Sequence, residues 1–174
     1  MKNGTKALLG AMLGAATVGT AGAAEVLVTE DIATSTTWTA DNTYNLTTQI
    51  YVRPGATLTI EPGTIIASTP SPNGSGSLAV TRGAKIIAEG TADAPIIFTS
   101  TNDDFVTWRE AANEWGNLTI MGNAYVSENA TPGNVPTPNA SNVASMEGLT
   151  AAFPGDPDVL YGGGDDDDDS GVLK

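Results

Sequence analysis

Ala56-Thr57-Leu58-Thr59-Ile60-Glu61-Pro62-Gly63 is echoed by Ala84-Lys85-Ile86-Ile87-Ala88-Glu89-Gly90 and, more faintly, by Asn117-Leu118-Thr119-Ile120-Met121-Gly122. In the first phrase Leu58 and Ile60 alternate with Thr57 and Thr59, the period of a strand with one face buried. Gly55/Gly83, Ala56/Ala84 and Glu61/Glu89 share one offset of 28 residues. One coil of about three short strands and three turns consumes that length. A short β-branched run, closed by a glycine turn and repeated at fixed spacing, is the mark of a stacked-strand solenoid. A β-sandwich also has many short strands and Gly/Pro turns, but it carries no such internal echo. After Glu25 no window sustains the i, i+3, i+4, i+7 apolar spacing of a helix.

Working outward, Val26, Val28, Ile32 and Trp38 predict an exposed N-terminal strand or cap over 25–39. Tyr44, Leu46, Ile50 and Val52 lead into the turn Arg53-Pro54-Gly55, and Thr64-Ile65-Ile66-Ala67 begins the next face. The stretch 68–77 is a loop by its Pro, Gly and Ser content. Strands are expected again at Leu78-Ala79-Val80, Ile86-Ile87-Ala88, Ile96-Ile97-Phe98-Thr99 and Asn117-Leu118-Thr119-Ile120. The polar segment 101–114 reads as a short helix or lid with Trp108 and Trp115 near its ends. A second long excursion runs over 123–144, Met146-Glu147-Gly148-Leu149 reads as one more strand, and Gly171-Val172-Leu173-Lys174 reads as a strand just beginning. With no closing cap in view, the expectation is an all-β, stacked-strand solenoid truncated at its C-terminus.

Residues 1–24 read as a signal peptide: Lys2 and Lys6, an apolar stretch from Ala7 to Val18, then Ala21-Gly22-Ala23-Ala24. The apolar stretch is shorter than the ~20 residues that span a bilayer, and no later segment is long and apolar enough to do so. The domain organisation is therefore a leader over 1–24 and the N-terminal part of a β-helix over 25–174. The address implied is secreted or cell surface, with stability drawn from apolar burial and backbone ladders, since cysteine is absent.

The formal charge is −13 over 174 residues, and losing Lys2 and Lys6 with no acid takes it to −15. Such a surface repels phosphate backbones and anionic headgroups, which sets nucleic acid aside and leaves divalent cations as better partners. Much of the acidity also serves solubility. The absence of His and Cys removes the usual nucleophile–base pairs, zinc sites and thiol redox chemistry.

The phrases Tyr51-Val52-Arg53-Pro54-Gly55-Ala56-Thr57-Leu58-Thr59-Ile60-Glu61-Pro62-Gly63-Thr64, Arg82-Gly83-Ala84-Lys85-Ile86, Pro95-Ile96-Ile97-Phe98-Thr99-Ser100, Trp115-Gly116-Asn117-Leu118 and Asp167-Asp168-Asp169-Ser170-Gly171-Val172-Leu173-Lys174 occur in this order. Together they resemble exported bacterial proteins with a right-handed parallel β-helix of the pectin-lyase-like superfamily. The resemblance covers nearly all of 25–174. It implies the fold and an extracellular address, and it carries no catalytic residue. In that family the sequence normally continues past the acidic loop into further strands.

Catalysis would have to rest on carboxylates, Arg or Lys. Arg109, among Asp103, Asp104, Glu110 and Glu114, is the strongest catalytic candidate, with Glu110 and Glu114 as companion acids; a solvated charge cluster explains the same residues. Arg53 and Arg82 stand beside turn glycines, where a turn role fits. Asp166-x-Asp168-x-Ser170-Gly171 matches the first half of a calcium loop, with oxygen ligands at alternate positions and a glycine for the bend. Asp166, Asp168 and Ser170 are thus candidate Ca²⁺ ligands, against the alternative of a flexible solvated loop. Trp108 is a candidate sugar-stacking residue, although tryptophans more often fill or cap a coil. The functional expectation is a secreted or cell-surface structural and binding module that engages glycans or other surface components, with a calcium-ordered acidic loop. The rival is a polysaccharide lyase or glycoside hydrolase acting on acidic polysaccharide.

Overall fold

The structure, a computed structural model, describes residues 23–72, 76–126 and 142–174. Residues 1–22 of the expected signal peptide, the middle of the 68–77 loop and most of the 123–144 excursion lie outside the described residues.

Four coils follow one another. The first holds β1 (Ala24–Val28) and β2 (Thr36–Trp38), with Ile32 between them bridging to Val52. The second holds β3 (Asn42–Leu46), β4 (Gln49–Val52) and β5 (Thr57–Ile60), and the third β6 (Ile65–Ser68), β7 (Ser77–Val80) and β8 (Lys85–Ala88). The fourth begins with β9 (Ile97–Ser100) and β10 (Leu118–Ile120). Before it closes, the chain makes β11 (Ala144–Ser145), a 3₁₀ turn at Pro157–Val159 and β12 (Leu160–Tyr161), and only then reaches β13 (Gly171–Leu173). Three parallel sheets result, ordered β1-β3-β6-β9, β4-β7-β10 and β2-β5-β8-β13, while β11 and β12 pair antiparallel. This is a parallel β-helix, and no α-helix occurs among the described residues.

The register explains why the echo is in the sequence. Thr57 pairs with Lys85 and Leu58 with Ile86, so like residues stack on like. Leu46, Ile50, Val52, Leu58, Ile66, Leu78, Val80 and Ile86 are fully buried inside the coil. Each such side chain is worth ~1.5–3 kcal/mol in surface removed from water. Trp38 stacks on Tyr44 at 4.6 Å within this core. Three corners are tight turns: Gly55, Gly63 and Gly83 have φ of +84°, +85° and +75°. In each, the amide of the following residue donates to the carbonyl three positions back, from Ala56 to Arg53, Thr64 to Glu61 and Ala84 to Thr81. A positive φ at the third position of such a turn is what glycine supplies.

Three expectations change. The faint third echo, Leu118–Ile120, stacks on β7 rather than on β8, and the continuation of the Thr57/Lys85 column is Gly171–Leu173. Of the two readings of 101–114, a short helix or a lid, the helix is absent: the segment forms bends and turns, because Asp103 and Asp104 cap local backbone amides. Residues 146–149 are a turn with Gly148 at φ +85°, the strand there being Ala144–Ser145. The strand read at 171–174 is present as β13, the third strand of the fourth coil.

The excursion before β13 folds back onto the outer face of the β4-β7-β10 sheet. Tyr51 and Ala79, which alternate with inward residues, are covered there by Met121 and Val159, with Met146, Leu149 and Tyr161 alongside. No helix of the described residues is long and apolar enough to cross a membrane.

Candidate ligand-binding cleft

The excursion between β9 and β10 builds a hollow from local chemistry. Asp103 accepts from the Phe105 amide at 2.8 Å and from the Thr99 hydroxyl at 2.5 Å; Asp104 accepts from the amides of Val106 and Thr107 at 2.9 and 2.7 Å. These aspartate-capped turns push Phe105 to φ +58° and turn 105–108 away from the coil. Arg109 then forks onto Glu114, with Nη1 at 2.7 Å from Oε1 and Nη2 on Oε2, which closes the loop on itself. At its far end Trp115 packs edge-on against Phe98, centroids 5.6 Å apart, and returns the chain to the helix.

Thr99, Asp103, Trp108, Arg109, Glu114 and Trp115 line the resulting hollow of about 500 Å³. A second hollow of about 260 Å³ lies on the outer face of the β1-β3-β6-β9 sheet, between Glu25, Thr43, Ile65 and Phe105. Both include Thr99, Ser100 and Asp103, so they form one groove across the sheet. Trp108 is 86% exposed at its rim, whereas Trp38 is 4% exposed and Trp115 is half-buried.

Hydrogen bonds from Arg109, and then from Ser100, hold Glu114 down to about 2, and its carboxylate in turn raises the Arg109 guanidinium. The Thr99 hydroxyl and the Phe105 amide hold Asp103 below the ordinary carboxylate range; the amides of Thr107 and Val106 do the same for Asp104. Near neutral pH, Arg109 and Glu114 therefore brace the loop and neither exchanges a proton. Glu110 is exposed and outside the lining of the hollow.

The acidic run is stitched to the chain's own donors. Asp168 accepts from the Asn123 amide at 3.0 Å, from the Asn123 side chain at 3.2 Å and from the Ser170 hydroxyl at 3.2 Å. Burial pushes its carboxyl up, but those three bonds with Lys85 nearby outweigh it and leave it lowered. Asp166 accepts from the Tyr125 amide, and Asp169 binds Lys85 at 3.1 Å and the Gly171 amide at 2.9 Å. Among the described residues no group of three or more His, Cys, Asp or Glu gathers as metal ligands do.

A further polar knot escaped sequence reasoning. Arg53 binds Asp31 at 2.5 Å and also pairs with Asp158, while its Cζ lies 5.3 Å from the Tyr51 ring centroid. Arg82 donates to the Gly162 carbonyl at 2.8 Å. Burial first, then Asp156 and Asp31, raises the Tyr51 hydroxyl. These side chains dock the 142–164 segment. The signal was there in Tyr51, a large aromatic at an outward position between inward Ile50 and Val52, but its partners lie about a hundred residues downstream.

Compared with known families, residues 30–174 match the pectate-lyase-like beta helix domain. No curated protein and no solved structure matches the chain.

Proposed function

The chain belongs to the pectate-lyase-like β-helix family, and from that premise we propose that it is an exported glycan-binding module whose rigid coil presents the 101–115 loop. The observation that carries this reading is Trp108, the one tryptophan of three left open to solvent, at the rim of a polar hollow. An indole face beside fixed hydrogen-bonding groups is a platform for a sugar ring, apolar on one side and hydroxylated at its edge. Export is supported by the leader-like composition of 1–24. The rival reading as a lyase or hydrolase needs a group that moves a proton, and Arg109 and Glu114 are spent on each other. For calcium the support is the alternation of oxygen-bearing residues at Asp166, Asp168 and Ser170, whose bonds to the chain a bound ion would have to replace.

A glycan array probed with the whole chain and with Trp108→Ala tests the proposal. Binding by the parent and its loss, at least about tenfold, in the variant is expected, with no release of cleaved product from uronate polymers. Unchanged binding by Trp108→Ala, or no glycan bound by the parent, overturns it.

A further inference from the structure

We propose that the groove selects cationic sugars, polymers of free amino sugars, and rejects uronates. The inference rests on the glycan-binding reading of Trp108 and adds its charge class. Of the described residues lining the two hollows, Glu25, Asp103 and Glu114 are carboxylates and Arg109 is the sole cation. Both terminal nitrogens of Arg109 are taken by Glu114, so the pair presents no net charge. What remains is the negative charge of Asp103 and Glu25, with Asp104 and Glu110 exposed on the same loop.

The other cations of the described chain face elsewhere. Arg53 is held by Asp31 and Asp158, Arg82 reaches Gly162 and Lys85 reaches Asp169, all away from this loop, while Lys174 lies beside Gly90 and Thr91. A uronate carboxylate entering the groove would shed water and meet no cation free of a carboxylate partner, which is costly. An ammonium group meets the reverse: carboxylates in the groove and an open indole face that attracts cations. Thr99 and the Phe105 amide spend only some of the lone pairs on Asp103, so its oxygens can accept from a ligand as well. The net charge of −13 strengthens the attraction at a distance. Neutral sugars would stack on Trp108 without the charge contribution and so rank between the two.

Calorimetric titration of the whole chain decides the matter, using a glucosamine oligomer, its fully N-acetylated counterpart and an oligouronate of equal length. Mildly acidic buffer keeps the amines charged. Affinity roughly tenfold higher for the amine than for the acetylated oligomer at low salt is expected, with the gap closing at high salt and no uronate binding. Asp103→Asn, which keeps one oxygen to accept from the Phe105 amide and offers its NH2 to the Thr99 hydroxyl oxygen in place of the other, should narrow that gap while binding of the acetylated oligomer persists. Uronate binding as tight as the amine's, or amine and acetylated oligomers bound alike, overturns the charge selectivity and leaves the glycan reading standing. Amine binding that survives Trp108→Ala is diffuse attraction to an acidic surface and overturns the site. Failure of all three oligomers to bind overturns the glycan reading itself.

Discussion

Glu114 shows how one residue holds a loop in place. Its carboxylate accepts both arms of Arg109, and folded Glu114 titrates at about 2 against an ordinary 4.5. The pair therefore supports the loop fully above pH 4.5, and that support disappears as the pH falls toward 2. Asp103 and Asp104 are lowered in the same direction, so a variant is needed to separate the terms. Fluorescence of Trp108 and Trp115 followed across this range should report loosening of the loop in the parent. Glu114→Gln should show the loosened signal already at neutral pH and lose that part of the acid transition. A parent signal flat down to pH 2, or a variant that tracks it, would remove the ion pair from the account.

At the scale of strands and turns, two glycines divide the work differently. Gly83, at φ +75°, sits in a turn where an added Cβ comes no closer than 3.9 Å to the Pro54 side chain. Gly83→Ala should therefore cost only the conformational strain, ~1–2 kcal/mol, seen as a lower melting temperature with the helix intact. Gly171, at φ +119°, is packed against β8 so closely that a Cβ would lie 1.8 Å from the Ile86 carbonyl oxygen. Gly171→Ala should break the β8–β13 ladder, with amides from 86 to 88 exchanging much faster with solvent. Equal effects from the two substitutions would mean that turn conformation, and not backbone approach, is what both glycines supply. In sequence the two look alike, a glycine beside a β-branched run. Only the neighbouring strand distinguishes them.

Across the whole molecule, the 142–164 segment is a second layer laid on a finished coil. Arg53→Ala would leave Asp158 and Asp31 without their shared cation and strip the Tyr51 ring of its cover. Hydrogen exchange in 142–164 should rise about tenfold or more, while β5 and β8 stay as protected as before. Simultaneous loss of protection in both would show that coil and outer layer form one cooperative unit. The coil itself was legible in the residues: alternation places Leu58 and Ile60 inward, repetition at 28 residues brings Leu58 over Ile86, and glycines, at Gly55 and Gly63 preceded by proline, mark the corners. These are local signals, set by strand period and allowed φ, and each coil states them again. Where insertions interrupt the period the signals fail, so that Leu118–Ile120 echoes the Leu58 phrase in sequence yet stacks on β7, and the partner of Ile86 in the next coil lies 85 positions away. Trp108 and the acids around Arg109 could be named from sequence, but not that Arg109 and Glu114 would pair while Trp108 stayed open. Nor could the docking of Arg53 on Asp31 and Asp158 be read, for it depends on side chains from three distant segments meeting at one outer face. Local periodicity determined the β-helix, and tertiary structure alone decided which charges neutralise each other and which groups remain free for a ligand, because electrostatic pairing depends on distance in space and leaves no period in the chain.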